Sequence, residues 1–142
     1  MNTKKWVVAS VVIFVVATLL DLLIHNVILS GAYESTRQLW RPRAEMNRLM
    51  WLWLLSNLIW SFLFVYIFAK GYEGRGIMEG VRYGVIIGLF VSIPMSLGTY
   101  AVQPITFGIA AGWFIFMLIE IVILGIIAAL IYRPAEAPTT TE

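Results

Sequence analysis

Cysteine is absent from this chain of 142 residues, and charged residues make up only 13% of it. Without cysteine the chain forms no disulfides, no thiolate metal sites and no cysteine-based redox centre. About a quarter of the residues of a soluble domain are charged, so the low charge content excludes an ordinary water-soluble fold. The formal net charge of +2, carried by basic residues spread over loops, indicates no nucleic-acid partner.

Apolar residues are abundant instead, at 61% of the chain. A membrane helix needs about 20 mostly apolar residues, and spans at about 6–29, 50–69, 82–102 and 108–132 meet that requirement. The sequence therefore predicts an all-α polytopic membrane protein, an antiparallel bundle of four transmembrane helices over residues 1–134. The polar, proline-containing end at 135–142 is predicted to be a disordered tail. The first apolar run is too long for a signal peptide and lacks a cleavage site, so a retained helix is expected.

Two prolines and the basic residues add detail to these spans. Pro42 suits the first turn of a helix, which predicts that the second helix begins there, before its apolar part. Pro94 predicts a kink in the third helix and a freed carbonyl near Ser92 or in the preceding turn. Lys4 and Lys5 flank the leading helix, which usually decides the orientation, so both termini are expected in the cytoplasm.

Small residues recur along two of the helices. Gly84, Gly88, Ser92 and Ser96 are spaced four residues apart on the third helix, and Gly108 and Gly112 repeat the spacing on the fourth. Such stripes let helix backbones approach closely in lipid. They indicate packing within the four-helix bundle or, as an alternative, a homodimer seam through Gly84 and Gly88.

The most informative stretch is DLLIH, which places Asp21 and His25 inside the first span. At a rise of about 1.5 Å per residue, Asp21, His25, Asn57 and Ser96 all fall in the outer half of the membrane, and Glu120 lies near the midplane. An ionisable residue inside a membrane helix costs about 2.5–3.5 kcal/mol on insertion scales, so these side chains should face one another rather than lipid. The sequence predicts one buried polar layer formed by Asp21, His25, Asn57, Ser96 and Glu120.

Three interpretations of this layer stay open. Asparagine, serine and a histidine–aspartate pair can simply join helices. Ionisable groups at membrane depth also mark functional sites, and burial together with a neighbouring carboxylate favours the neutral, protonated form of a carboxyl group. Finally, Asp21, His25 and Glu120 supply ligand types used by zinc or iron, although a single histidine is sparse for a metal site. No organic cofactor is indicated.

The chain resembles uncharacterised four-helix inner-membrane proteins of bacteria. The segments that carry this resemblance are DLLIHNVIL, LWRPRAEMN, YIFAKGYEG and ALIYRP. This resemblance implies a bacterial inner-membrane location but no activity. The chain is also similar in outline to the small multidrug transporters, which have four helices and a carboxylate in the first. Asp21 departs from that pattern because it lies in the outer third of its helix. We therefore assign no binding residue of this chain from that family.

Catalytic signatures such as HExxH, GxSxG or a phosphate-binding loop are absent from the sequence. The leading hypothesis is a non-enzymatic membrane protein whose polar layer binds a proton, an ion or a small ligand, with a transport-related role as one interpretation. The alternatives are an accessory subunit of a larger membrane complex and a metal-dependent membrane enzyme.

Overall fold

The computed structural model of the protein describes residues 2–132, and this part of the chain is all-α. Four helices are long and apolar enough to cross a membrane. We number the helices α1 (Thr3–Ile28), α2 (Ser30–Glu34), α3 (Arg43–Lys70), α4 (Ile77–Val102) and α5 (Phe107–Tyr132). The predicted fold class is thereby confirmed, whereas the predicted tail at 135–142 lies outside the described residues.

The helices extend beyond the predicted spans where polar residues continue the helical turn into the interface. Pro42 is the N-cap of α3, and its carbonyl accepts hydrogen bonds from the amides of Glu45 and Met46. The start predicted from Pro42 is therefore confirmed. Helix α4 begins at Ile77, five residues before the predicted span, directly after Gly76, whose φ of 73° ends the preceding loop.

Helix α5 holds the bundle together, because it packs along both α1 and α4, while α3 packs along α1. The backbone amide of Asn2 donates a 2.9 Å hydrogen bond to the Tyr132 hydroxyl. The first and last described residues are therefore at the same end of the bundle, as four antiparallel spans require. We call this the terminal end and the opposite one the loop end.

Glycines make the contact between α4 and α5 close. A Cβ atom added to Gly84 would lie 2.6 Å from Cα of Val122, and one added to Gly80 would fall on the carbonyl oxygen of Gly125. Close backbone contact of this kind holds helices together in lipid, where no hydrophobic driving force acts between them. The face that carries Gly84 and Gly88 is thus occupied by α5 of the same chain.

The loop between α3 and α4 is fixed by a buried carboxylate. Glu79, only 4% exposed, accepts hydrogen bonds from the backbone amides of Glu73 (2.6 Å) and Arg75 (2.8 Å). Glu73 in turn forms ion pairs with Arg75 at 2.8 Å and Arg82 at 3.0 Å. The Arg82 hydrogen bond and the charges of both arginines hold the pKa of Glu73 below its ordinary value.

The loop between α1 and α3 is folded at its start rather than extended. It contains α2 and a single 3-10 turn at Arg37–Leu39. Tyr33 and Trp40 of this loop pack against a small apolar group at the start of α5, formed by Ile105, Ile109 and Ala110. This packing brings the loop over the end of the bundle that contains His25.

Candidate functional site

Asp21 lies on α1 and is held from two sides. The Nδ2 atom of Asn57, on α3, donates a 3.0 Å hydrogen bond to its Oδ2 atom. The Nε2 atom of His25, one turn further along α1, is 3.9 Å from its Oδ1 atom, which is an electrostatic contact but too long for a hydrogen bond. The structure thus brings together three of the five residues predicted for the polar layer.

Glu120 of α5 is the most buried ionisable side chain of the site. It is 8% exposed, and within residues 2–132 no donor forms a hydrogen bond to its carboxyl group. Its strongest electrostatic neighbour is Asp21, the other carboxyl group. A buried carboxyl group with no donor and a second acid beside it is unstable as an anion.

Both acids line one cavity between α1, α3, α4 and α5, with a volume of about 240 Å³. We call it the central cavity. Its polar lining comes from Asp21, His25, Ser56, Asn57 and Glu120, and its apolar lining includes Trp60, Val91, Met95, Trp113, Phe116 and Met117. The two acidic residues, from the first and the last membrane helix, therefore line the same cavity.

A second hydrogen-bonded group continues from His25 toward the loop end. The Tyr33 hydroxyl is 2.5 Å from Nδ1 of His25 and accepts a 2.6 Å hydrogen bond from Nε1 of Trp113. Burial raises the pKa of the Tyr33 phenol, so this group keeps its proton. The direction of its hydrogen bond with Nδ1 depends on the tautomer of His25. In the neutral tautomer that carries its proton on Nε2, the Tyr33 hydroxyl donates to Nδ1 and the Nε2 proton faces Asp21.

His25 lies in an unusual piece of helix. Residues Ile24–Ile28 form a π-helical turn, in which the amide of Leu29 donates a 2.8 Å hydrogen bond to the carbonyl of Ile24, five residues earlier. Such turns are rare and are frequently found at functional sites. Here the turn lies where the membrane part of α1 meets the folded loop, and it contains the histidine that contacts both Asp21 and Tyr33.

A larger cavity of about 760 Å³ lies at the loop end, and we call it the outer cavity. His25 and Trp113 line both cavities. The remaining lining comes from the loop and the start of α3: Asn26, Ser30, Tyr33, Glu34, Arg37, Trp40, Arg41, Pro42, Arg43 and Met46. His25 thus stands between a basic cavity at the loop end and an acidic cavity inside the bundle.

Ser96 is not joined to the other members of the predicted layer. It is fully buried, and its hydroxyl donates a 2.6 Å hydrogen bond to the carbonyl of Ser92, inside the π-helical turn Pro94–Gly98. The Ser92 carbonyl, near which a freed carbonyl was expected, therefore has a hydrogen-bond donor within α4. The Ser92 hydroxyl itself is buried with no hydrogen-bond partner in the described part of the chain.

The residues predicted to pack helices differ in their surroundings. Gly88 lies against Leu118 of α5, with an added Cβ 2.7 Å from Cδ1, and Gly112 lies against Leu29, with an added Cβ 2.9 Å from Cδ2. Gly108 is exposed, and an added Cβ would meet only the Thr106 hydroxyl, at 3.8 Å. Gly108 therefore takes no part in packing within the described chain, because it lies in the first turn of α5, beyond the contact with α4.

Sequence reasoning missed Tyr33, Trp60 and Trp113. Trp113 precedes Glu120 by seven residues, which is two helical turns and the same face of α5. Trp60 follows Asn57 by three residues and shares its face in the same way. These two spacings were a usable signal, but Tyr33 reaches the site only because the loop folds back over α5.

The donor set does not fit a metal ion. Among residues 2–132, no three histidine, cysteine, aspartate or glutamate side chains converge closely enough to hold one. Asp21, His25 and Glu120 line the same cavity without forming such a group, so the metal-site interpretation gains no support from the geometry.

The site must be interpreted from its own chemistry, because the chain matches no protein-family model, no curated protein and no solved structure.

Proposed function

We propose that this membrane protein binds a proton between Asp21 and Glu120 in the central cavity. The observation that carries the proposal is Glu120, a buried carboxyl group that lines a cavity, has no donor among residues 2–132 and has another acid as its neighbour. Two ionised carboxylates in such a place would repel each other in a medium that solvates them poorly. A proton shared by the pair removes that repulsion.

The size of the central cavity favours a small occupant. At about 240 Å³ it is smaller than the range of about 300–1,000 Å³ that is typical of pockets for drug-sized ligands. It is much larger than the space that one water molecule needs. Water in the cavity would connect the two carboxyl groups and allow a proton to move between them.

His25 provides a route by which a proton can reach Asp21 from the outer cavity. It borders the outer cavity, and its Nε2 atom faces Asp21 at 3.9 Å while its Nδ1 atom faces the Tyr33 hydroxyl. A proton taken up at Nδ1 from the outer cavity makes His25 an imidazolium, which can release its Nε2 proton toward Asp21 and remain neutral with a proton on Nδ1; a histidine relays protons in this way. The path joins the membrane interior to the loop end of the bundle, as a transport-related role requires.

For location we propose a bacterial inner membrane, with the terminal end in the cytoplasm. Lys4 and Lys5, in the first turn of α1, support this orientation. The outer cavity would then open to the outside, and the proton would enter from there. Reporter fusions to residues 2 and 142 that are both active in the cytoplasm would support the orientation, and two active outside would reverse it.

Acid–base titration of the purified protein in detergent, between about pH 5 and pH 9, tests the proposed proton binding. The background in this window is small, because the chain has one histidine and no cysteine. The wild type should release one proton more than the Glu120→Gln variant. Glu45→Gln is the matched control, since it removes a carboxylate whose side chain is 55% exposed, and its curve should follow the wild type.

Equal curves for the wild type and Glu120→Gln, with both proteins folded, would contradict the proposal. They would mean that Glu120 exchanges no proton in this window, and its role would then be structural.

A further inference from the structure

We infer that the outer cavity is a binding site for a phosphate group, recognised by Arg37, Arg41 and Arg43. The two cavities share His25 and Trp113, but these arginines do not line the central cavity, so the inference does not rest on the proposed proton site. The charge of the lining is the first support: three arginines and one glutamate, Glu34, line the cavity. The outer cavity therefore carries a net positive charge, next to a central cavity whose charged groups are acids.

The arginines are available to a ligand. Arg37 is 3.4 Å from Glu34 and Arg41 is 3.6 Å from Glu45, and all four side chains are more than half exposed. Long, exposed ion pairs of this kind are weak. Arg43 has no carboxylate within ion-pair distance among residues 2–132. A ligand can thus recruit all three guanidinium groups without breaking a strong contact.

The three arginines come from different pieces of backbone. Arg37 opens the 3-10 turn, Arg41 precedes Pro42, and Arg43 is the first residue of α3. Their convergence depends on the folded loop, which is anchored on α5 through Tyr33 and Trp40. Guanidinium groups bind phosphate oxygens in pairs, with a planar geometry that a single point charge does not offer.

The rest of the lining suits a phosphate that is attached to an apolar group. Trp40, Met46 and Trp113 form apolar walls beside the arginines, and the cavity lies where the membrane helices end, which is the level of lipid headgroups. A volume of about 760 Å³ is large enough for a headgroup with the start of its chains. A free phosphate ion would use the same guanidinium groups without these walls.

Native mass spectrometry of the full chain in mild detergent tests the inference, with dioctanoyl phosphatidylglycerol as the probe. The wild type should retain the lipid, and an Arg37→Gln, Arg43→Gln double variant should bind it about tenfold more weakly, since charge-assisted hydrogen bonds are lost. Arg43→Lys keeps the charge but not the paired geometry, so it should fall between the two. Arg48→Gln is the matched control, because Arg48 is exposed on α3 outside the cavity lining and should bind like the wild type.

Two further probes separate the sources of the phosphate. Inorganic phosphate that displaces the lipid at millimolar concentration would assign the site to soluble phosphates, and failure to displace it would assign the site to a lipid headgroup. Dioctanoylglycerol, which lacks the phosphate, should bind weakly. Any of four results would overturn the inference. The wild type could fail to bind the lipid or could retain dioctanoylglycerol as well as the lipid. The double variant could bind the lipid as well as the wild type, or Arg48→Gln could lose as much binding as the double variant. The acid–base titration of Glu120 should be the same in all of these variants.

Discussion

Asn57 on α3 donates its amide hydrogen to Oδ2 of Asp21 on α1, across 3.0 Å. The bond joins two membrane helices through polar groups, and it also fixes the rotation of the carboxyl group. With Oδ2 held by Asn57, Oδ1 is left to face His25. Asp21 therefore points one oxygen at a structural partner and the other at the histidine that leads to the outer cavity.

The α4–α5 contact gives the first prediction. Gly84→Leu should destabilise the bundle more than Gly88→Leu, because the added side chain meets the backbone of Val122 at Gly84 but only the flexible side chain of Leu118 at Gly88. Overpacking of this kind costs about 1–3 kcal/mol, with Gly84 at the upper end. Melting temperatures in detergent measure the order, and Gly108→Leu, at an open position, should melt like the wild type. A Gly84→Leu variant as stable as Gly108→Leu would contradict the packing.

The α3–α4 loop gives the second prediction. Glu79→Gln should destabilise the protein by about 1–3 kcal/mol, because Glu79 accepts two backbone hydrogen bonds with two oxygens and glutamine has only one. Thermal unfolding in detergent at neutral pH measures the loss. An unchanged melting temperature would mean that the loop does not depend on Glu79.

A Glu73→Gln variant is the control for Glu79→Gln, and its effect on stability should depend on pH. The ion pairs with Arg82 and Arg75 lower the pKa of Glu73 in the folded protein below the ordinary value of 4.5. The stabilisation is therefore present above pH 4.5 and is lost as the pH falls through the lower, folded pKa. Glu73→Gln should melt slightly below the wild type at pH 7, by less than Glu79→Gln since Glu73 is on the surface. The difference should vanish in acid; a difference that persists there would contradict the ion-pair explanation.

The relay through His25 gives the third prediction. Tyr33→Phe removes the hydroxyl that contacts Nδ1 of His25 and Nε1 of Trp113. The number of protons bound at equilibrium should stay the same, while the rate of proton uptake after a pH jump should fall about tenfold or more, because the positioned hydroxyl between the outer cavity and Nδ1 of His25 is lost. Stopped-flow measurement with a pH-sensitive dye gives both quantities. The control is Ser61→Ala, whose hydroxyl bonds only the carbonyl of Asn57 in its own helix; equal rates in Tyr33→Phe and Ser61→Ala would exclude this route.

The four spans were predictable from the sequence because hydropathy acts residue by residue and needs no knowledge of neighbours. That Asp21, Asn57 and Glu120 line one cavity was predictable for a related reason: burial of charge in lipid is costly, so polar side chains inside membrane helices are expected to face one another. The place of Ser96 was not predictable, because a serine in a helix can satisfy itself on the preceding turn, and here it does. Neither the π-helical turn at Ile24–Ile28 nor the folding of Tyr33 onto Trp113 leaves a local pattern, since both depend on how the loop packs against α5.

The shared proton is the central claim, and coupling between Asp21 and Glu120 tests it most directly. Infrared spectroscopy of the protonated carboxyl band, followed against pH in the wild type and in Asp21→Asn, measures that coupling. The Asp21→Asn, Glu120→Gln double variant identifies the bands. Asparagine at position 21 can still bond Asn57, so the fold should be retained. Without the neighbouring negative charge, Glu120 should lose its proton at a lower pH in Asp21→Asn than in the wild type. A Glu120 band that disappears at the same pH in both proteins would show that the two acids titrate independently and would contradict the shared site.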